Sequence, residues 1–230
     1  MNTPAIIAVI LISYLIGSIP FGLITVRLAK GEDIRKMYSG RTGGTNAMRA
    51  AGFWVGLLTS LLDVLKGASS VWIATAFLDN DWLRVIAPLA AILGHNYSVF
   101  LINRGENGKL FIGGGAGGAP CIGGSMGLWA PSFLIIFPIG FVVLFGIGYA
   151  SVATMSAAII SSILFTILAI LGKTPWVYVL YGLLAELLLI WSLRPNIKRL
   201  MNGTERMVSW RAKRKQAKQE KLDGVQIASE

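Results

Sequence analysis

The stretch of sequence that decides the fold is residues 131–171, PSFLIIFPIGFVVLFGIGYASVATMSAAIISSILFTILAIL, which contains no charged residue. A helix that crosses the apolar core of a bilayer needs about 20 consecutive apolar residues. About 40 such residues are too many for one span and sufficient for two. We therefore expect two membrane helices here, with the turn between them at residues 148–151, Gly-Tyr-Ala-Ser.

Further apolar runs of span length lie on both sides of this stretch. They cover residues 4–26, 51–77, 83–101 and 176–193. A Gly-rich stretch leads from Lys109 to Trp129 and is a less regular candidate for a span. Counting it gives seven spans, and omitting it gives six.

The overall composition agrees with a membrane protein. Of the 230 residues, 54% are hydrophobic and 14% are charged, and the mean hydropathy is +0.65. A soluble domain carries about 25% charged residues, so these proportions exclude a soluble globular enzyme and a disordered chain. The single Cys excludes an internal disulfide, and the single His excludes a site built from several histidines.

The net charge of +10 is distributed unevenly and predicts the orientation. Most Lys and Arg residues fall in residues 27–49, in the segment 104–109 and in the chain from Arg194 onward, and such basic segments stay cytoplasmic. This places the N-terminus outside and the C-terminus inside, which requires an odd number of spans. We expect an all-α polytopic bundle of about seven transmembrane helices, with residues 1–198 as the membrane domain. We expect residues 199–230 to form a basic cytoplasmic tail. Its residues 206–230 are expected to lie along anionic lipid headgroups or to form a partly disordered helix, and a nucleic-acid role is disfavoured because the chain is held at a membrane.

The first polar segment, residues 38–49, reads YSGRTGGTNAMR and has the composition of an anion site. Glycines allow successive N–H groups to converge on an anion, and a helix N-terminus adds its positive dipole end. We expect Thr45 or Asn46 to cap the helix of the second span. The alternative to an anion site is an ordinary polar loop with a helix cap, whose arginines only set the orientation of the chain in the membrane. The candidate ligands are Ser39, Arg41, Thr42, Gly43, Gly44, Thr45, Asn46 and Arg49.

Three ionisable residues fall within the predicted spans. Asp63 and Lys66 are three residues apart on one helix face, so they are expected to form a structural ion pair. Glu186 has no partner evident in the sequence. In the first span, Pro20 predicts a kink because it removes a helix hydrogen bond.

A second polar segment follows the third span. His95 lies near the cytoplasmic end of that span. It is a candidate base, or a candidate donor of a hydrogen bond to a phosphate, although a lone His at a helix end is usually structural. A second loop rich in Gly and cations could bind another anion through Arg104, Gly105, Gly108 and Lys109. The Gly-dense residues 113–127 favour either tight helix packing or a groove for an acyl chain.

In their order along residues 13–205, these motifs resemble the PlsY family, bacterial membrane acyl-phosphate:glycerol-3-phosphate acyltransferases. The motifs that carry the resemblance are Gly-Ser-Ile-Pro-Phe-Gly at 17–22, residues 39–49, Asp-Val-Leu-Lys-Gly at 63–67, Gly-His at 94–95 and residues 196–205. The resemblance implies transfer of an acyl group from acyl phosphate to the 1-hydroxyl of glycerol 3-phosphate, giving lysophosphatidic acid and phosphate. It implies no metal or cofactor, and a location in the bacterial plasma membrane among membrane lipids.

The resemblance also implies roles for individual residues. The implied catalytic residues are Ser39, Arg49, His95 and Asn196. The implied phosphate-binding residues are Arg41, Gly43, Gly44, Thr45, Asn46, Arg104, Gly105, Gly108, Lys109 and Glu205.

The chain departs from the family pattern at several of these positions. Arg41 stands where Asn is usual, and Leu193 stands where His is usual. The second loop reads Gly-Glu-Asn-Gly at 105–108 where Gly-Gly-Lys-Gly is usual. A relative that binds a lipid phosphate without turnover is therefore one alternative, and a small transporter that uses the intramembrane charges is another.

Overall fold

The fold is described by a computed structural model that covers residues 3–104, 108 and 110–208. The predictions for Gly105, Lys109 and residues 209–230 lie outside these described residues, as does the side chain of Arg104. The helices are α1 Thr3–Ser18, α2 Phe21–Lys30, α3 Gly44–Ala51, α4 Phe53–Phe77, α5 Asp81–Asn96, α6 Gly118–Leu128, α7 Ser132–Ile147, α8 Ala150–Ile170 and α9 Val177–Met201. Two short strands, β1 Ile102–Arg104 and β2 Leu110–Ile112, pair antiparallel.

The predicted all-α membrane bundle is confirmed. Within the described chain, five segments are long and apolar enough to cross a membrane: Thr3–Lys30, Phe53–Phe77, Asp81–Leu101, Ala150–Ile170 and Val177–Met201. The predicted pair of helices in 131–171 is present as α7 and α8, which are separated at Gly148. The β hairpin was not anticipated.

Two of the segments that the seven-span count includes are shorter than a full span in the structure. α7 has 16 residues and is apolar, whereas α6 has 11 residues. At 1.5 Å per residue, α6 rises only about 16 Å, roughly half the apolar thickness of a bilayer. The seven-span count and the orientation of the termini therefore stay predictions.

The polar segment before α4 folds differently from the expectation that Thr45 or Asn46 caps the second span. α3 is a separate helix whose N-cap is Gly43, so Thr45 and Asn46 lie inside its first turn. Gly52 has φ of 95°, a conformation that favours glycine, and it separates α3 from α4. The capping prediction is wrong because this glycine ends one helix before the membrane helix begins.

The break in the first span is where Pro20 predicts it. α1 ends at Ser18 and α2 begins at Phe21. The backbone carbonyl of Ile19 accepts from the amide of Phe21 at 3.1 Å and from Nζ of Lys66 at 3.0 Å. Nζ of Lys66 also lies 2.8 Å from Oδ1 of Asp63, and both side chains are buried. The ammonium of Lys66 thus pairs with the carboxylate of Asp63 and donates to the carbonyl of Ile19, which the break leaves without a regular helix hydrogen bond.

The Gly-rich stretch packs α6 against α4. A Cβ at Gly123 would overlap the carbonyl oxygen of Val64, and a Cβ at Gly67 would overlap that of Pro120. The two backbones therefore approach more closely than any larger residue permits. The close approach places the N-terminal end of α6 beside the polar segment at 39–49.

The first residues after α9 pack against the bundle, with Glu205 and Val208 buried. The predicted domain boundary after residue 198 falls inside α9, which continues to Met201. Beyond it, residues 203–208, which we call the strap, return toward the bundle. The Val208 amide donates to the carbonyl of Gly148 at 2.8 Å, and Met207 pairs with Tyr149 as an isolated bridge. Polar side chains of α9 and the strap bind each other, and the division into a membrane domain and a tail stays a prediction.

Candidate active site

A cavity of about 200 Å³ lies between the polar segment at 39–49, the Gly-rich stretch, α7, α8, α9 and the strap. We call the polar part of its lining the polar end, and the apolar part, which comes from α6, α7 and α8, the apolar end. The polar end is lined by Ser39, Arg41, Thr45, Asn46, Arg49, Asp63, His95, Asn196, Arg199, Glu205 and Arg206. The apolar end is lined by Ile122, Phe137, Gly140, Phe141, Leu144, Phe145, Ala153 and Ala157.

Asn46 shapes the segment that carries Ser39 and Arg41. Its side chain is buried, and Nδ2 donates to the carbonyls of Arg41 at 2.8 Å and Met37 at 3.2 Å. Oδ1 accepts from the amide of Ser39 at 3.4 Å. The side-chain amide of Asn46 therefore holds the loop folded around this side chain. The same hydrogen bonds fix Ser39 at the edge of the cavity.

Arg41 connects three separate parts of the chain. Its Nη1 donates to the carbonyl of Gly115 at 2.6 Å and to Oγ of Ser192 at 3.2 Å. Its Nη2 donates to the carbonyl of Ser192 at 2.7 Å and to Oδ1 of Asn196 at 3.2 Å. Burial lowers the pKa of the Arg41 guanidinium below its ordinary value, and the neighbouring Arg199 adds to this effect.

Glu205 lies at the centre of a second polar cluster. Its Oε1 accepts from Nδ2 of Asn196 at 2.8 Å, and its Oε2 accepts from Nε of Arg199 at 2.9 Å. Glu205 is buried although it belongs to the strap. A buried carboxylate needs such partners, so this cluster holds the strap over the end of α9.

Arg49 reaches the strap from the opposite side. Its Nη2 donates to the carbonyls of Arg206 at 3.3 Å and Met207 at 3.4 Å. Burial lowers the pKa of the Arg49 guanidinium, and the charge of Glu205 partly opposes that shift. Both contacts are long and use one nitrogen, so Nη1 and Nε remain available to an anion in the cavity.

His95 lies deeper in the cavity. Its side chain is buried, with Nδ1 3.6 Å from Oδ1 of Asp63. A Cβ at Gly115 would overlap Nε2 of the imidazole, so only glycine fits beside it. The backbone carbonyl of His95 also accepts from the amide of Gly115 at 2.8 Å. The Gly-rich stretch thus fixes the position of the imidazole.

Comparison with known proteins identifies the family. A family profile described as "Glycerol-3-phosphate acyltransferase" matches residues 7–203. The chain belongs to the glycerol-3-phosphate acyltransferase family. It is 38% identical to a glycerol-3-phosphate acyltransferase of Thermus thermophilus over 88% of this chain and 95% of that protein. It is 36% identical to one of Rubrobacter xylanophilus, over 90% of this chain and 96% of that protein.

Solved structures of the glycerol-3-phosphate acyltransferase family match the fold as well. The crystal structure of PlsY (YgiH), an integral membrane glycerol 3-phosphate acyltransferase, in its glycerol 3-phosphate form has a TM-score of 0.73 and 32% sequence identity. The lysophosphatidic acid form of PlsY has a TM-score of 0.70 and 30% identity. Each match covers 88% of this chain and 94% of the other.

In this acyltransferase, most of the residues expected at the site from the sequence lie around one cavity. Ser39, Arg49, His95 and Asn196 all line it. Of the phosphate-binding candidates, the lining includes Arg41, Gly43, Gly44, Thr45, Asn46 and Glu205. The buried side chain of Thr42 is not among the lining residues, and its amide donates to the carbonyl of Gly114 at 3.2 Å.

Of the second predicted anion loop, the structure describes only the backbone of Arg104 and the residue Gly108. Arg104 is the last residue of β1, and Gly108 is exposed and outside the cavity lining. The glycine-rich residues 116–118 line the cavity instead. Their signal in the sequence was the density of glycine, which we interpreted as helix packing or an acyl groove and not as part of the polar site.

Sequence reasoning also missed residues that complete the acyltransferase cavity. Arg199 and Arg206 line it, as do Ser151 and Thr154 of α8. Ser192 does not line it but holds Arg41. Arg199 lies beyond the predicted end of the last span at residue 193, where a basic residue resembles an ordinary membrane anchor.

Proposed function

We propose that this member of the family transfers a fatty acyl group from acyl phosphate to the 1-hydroxyl of glycerol 3-phosphate. The products are lysophosphatidic acid and inorganic phosphate. The observation that supports this most strongly is the two-part cavity, in which arginines and a histidine adjoin a slot of aromatic and aliphatic side chains. Both substrates are anions and one carries an acyl tail, so a pocket for the pair needs both parts.

The PlsY structures support the same substrate and product classes. They contain a glycerol 3-phosphate form and a lysophosphatidic acid form of a protein that shares 32% and 30% identity with this chain in the two matches. The bacterial relatives further support our placement of this multi-pass protein in the bacterial plasma membrane, with the basic segments on the cytoplasmic side.

The reaction needs little covalent chemistry from the protein because acyl phosphate is an activated mixed anhydride. The oxygen of the 1-hydroxyl attacks the acyl carbonyl carbon, and the bond from that carbon to the phosphate oxygen breaks. The electron pair leaves with the phosphate. Orientation of the two anions and stabilisation of charge on the carbonyl oxygen are therefore the main requirements, and Arg49 and the amide of Asn196 supply donors for them.

We assign the hydroxyl proton to Nε2 of His95. Glu205 is held by Arg199, and Asp63 is held by Lys66, so both carboxylates are engaged in ion pairs. His95 lines the cavity, and its Nδ1 faces Asp63, which stabilises the imidazolium that forms when Nε2 accepts a proton.

The proposal is tested with purified protein in lipid nanodiscs, palmitoyl phosphate and radiolabelled glycerol 3-phosphate. We expect labelled lysophosphatidic acid with one inorganic phosphate released per product. Palmitoyl-coenzyme A in place of palmitoyl phosphate tests the donor, and we expect no product with it. Folded protein that binds glycerol 3-phosphate but forms no product with either donor would contradict the proposal and indicate a binding protein without turnover.

A matched pair of variants connects the activity to the cavity. Asn196→Ala removes the amide that bridges Arg41 and Glu205, and we expect activity to fall by about 10²-fold or more. Asn202→Ala changes an exposed asparagine just beyond α9 and should leave activity at the wild-type level. Equal effects of the two substitutions would contradict the assignment of the site.

A further inference from the structure

The terminal N–H groups of the Arg41 guanidinium already donate hydrogen bonds to acceptors of the protein. A guanidinium carries five N–H groups, four of them on Nη1 and Nη2. Four acceptors lie within hydrogen-bond distance of these two nitrogens: the carbonyls of Gly115 and Ser192, Oγ of Ser192 and Oδ1 of Asn196. Only Nε has no acceptor among these contacts. A guanidinium that binds phosphate in the usual bidentate way needs two adjacent N–H groups, so Arg41 would have to break this network to bind one.

The network also fixes the orientation of Asn196. Oδ1 of its amide accepts from Arg41, so Nδ2 is directed to the other side, where it donates to Glu205. An asparagine amide that lacks one of these partners can rotate and exchange its donor for its acceptor. Arg41 therefore determines which atoms of Asn196 face Glu205 and the cavity.

The same contacts join three segments that are distant in sequence. Arg41 belongs to the loop before α3, Gly115 precedes α6, and Ser192 and Asn196 belong to α9. The amide of Thr42, next to Arg41, donates to the carbonyl of Gly114 and reinforces the same junction. Loss of the guanidinium would let the loop move relative to α9, and Ser39 and Asn196 would lose their alignment.

We propose that Arg41 is a positioning residue for the acyl transfer and not a ligand of either substrate phosphate. It aligns the amide of Asn196 and the loop that carries Ser39 with the Gly-rich stretch before α6. This inference rests on the proposed function, because it concerns the same cavity and reaction. It reassigns Arg41 from the phosphate-binding set, where the family resemblance had placed it, and keeps Arg49 in that set, because the contacts of Arg49 within the described chain use only Nη2.

The test is a kinetic comparison of Arg41→Lys with wild type in nanodiscs. A lysine ammonium keeps the positive charge but cannot span the four acceptors of the planar fork. We expect kcat to fall by about 10- to 100-fold, because small misplacements of reacting groups cost that much. The KM for glycerol 3-phosphate and the inhibition constant of inorganic phosphate should stay within about threefold. A rise of tenfold in either constant with kcat retained would overturn the proposal, as would wild-type kinetics.

A second variant keeps the inference testable if Arg41→Lys does not fold. Arg41→Gln keeps an NH₂ donor and removes the charge, so a phosphate ligand would lose affinity for inorganic phosphate and a positioning residue would not. We expect the phosphate inhibition constant of this variant to stay within about threefold while kcat falls; weaker inhibition by tenfold overturns the proposal. Arg35→Lys is the control, because Arg35 pairs with Asp33 in the loop and lies outside the cavity lining.

Failure of this inference differs from failure of the proposed function. If wild type forms no lysophosphatidic acid from acyl phosphate, the function is wrong for every variant. If wild type is active and Arg41→Lys changes KM and not kcat, the function stands and the positioning role is wrong.

Discussion

Two arginines of the same short segment are used in different ways. Arg41 donates all four terminal N–H groups to acceptors of the protein, whereas the contacts of Arg49 involve one nitrogen at 3.3 and 3.4 Å. Residue type and spacing alone predict the same role in phosphate binding for both. Only the acceptors around each side chain, which come from α9, the strap and the Gly-rich stretch, separate them.

Arg49 should therefore be the arginine whose removal weakens substrate binding. We expect Arg49→Ala to lower kcat/KM for glycerol 3-phosphate by about 10²-fold or more, with a rise in KM. Arg49→Lys should recover only part of the loss because it lacks the bidentate fork. The measurement is steady-state kinetics in nanodiscs, with Arg27→Ala on the exposed face of α2 as the control. Near-normal kcat/KM in Arg49→Ala would contradict this assignment.

The buried pair of Asp63 and Lys66 gives a prediction about stability. Lys66→Met leaves a buried carboxylate without its cation and leaves the Ile19 carbonyl without its second donor. Breaking a buried pair on one side costs about 3–5 kcal/mol. We expect the thermal unfolding midpoint in detergent to fall by roughly 10 °C, and the double variant Asp63→Asn with Lys66→Met to recover much of this loss. A double variant no more stable than the single one would contradict the pairing.

At the scale of elements, the sequence predicted the long helices well and the irregular ones poorly. Length and apolar composition were sufficient for α4, α8 and α9, and Pro20 marked the break between α1 and α2. The short helices α3 and α6 could not be predicted in the same way, because one bound of each is set by a glycine with positive φ: α3 ends before Gly52 and α6 begins after Gly117. Gly52 and Gly117, with φ of 95° and 83°, are the residues at which this occurs.

The contact between α4 and α6 can be tested through its glycines. We expect Gly123→Ala to lower the thermal unfolding midpoint, because its methyl group would overlap the carbonyl oxygen of Val64. Gly146→Ala in α7 is the matched control, since no atom lies within 4 Å of a Cβ built there. Alanine has the higher helix propensity, so the control should be as stable as wild type or slightly more stable. Two variants of equal stability would show that the backbones do not approach as closely as described.

The candidate site was predictable in part for a related reason. Ser39, Arg49, His95 and Asn196 line the cavity with polar side chains, and their order in the sequence resembles a known family. The strap and the Gly-rich lining contribute mainly backbone groups and shape, which residue types do not reveal. Glu205 became a candidate through the resemblance alone, because a single acid after a basic helix end has no physical signature of burial.

In the complete bundle, the cavity combines a polar lining with an apolar lining formed by the membrane helices. Its polar end carries charged groups from five separate parts of the chain, and its apolar end runs between α6, α7 and α8. The pairing of the strap with Tyr149 and Gly148 connects the last described residues to the α7–α8 turn. The strap thus connects residues of the polar end to the turn that follows α7, a helix that lines the apolar end.

The length of the apolar end should determine acyl-chain preference. Gly140 of α7 lines this end, and the nearest atom to a Cβ built there is Cδ1 of Ile122 at 4.0 Å, so a larger side chain has space to enter. We expect Gly140→Leu to shift the preferred acyl phosphate to a chain shorter by several carbons, measured as kcat/KM across donors of different length. Val142→Leu on the exposed face of α7 is the control. An unchanged preference in Gly140→Leu would show that the acyl chain lies elsewhere.

The strap has a consequence for the timing of biosynthesis. Residues 203–208 are translated after helices α1 to α9, yet Glu205 and the carbonyls of Arg206 and Met207 complete the polar end of the cavity. A nascent chain whose helices are already inserted in the bilayer therefore lacks a finished site while these residues remain inside the ribosome. Under the proposed function, we expect acyl transfer only after the strap has emerged and packed against the turn between α7 and α8, so that incomplete chains in the membrane consume no lipid precursor.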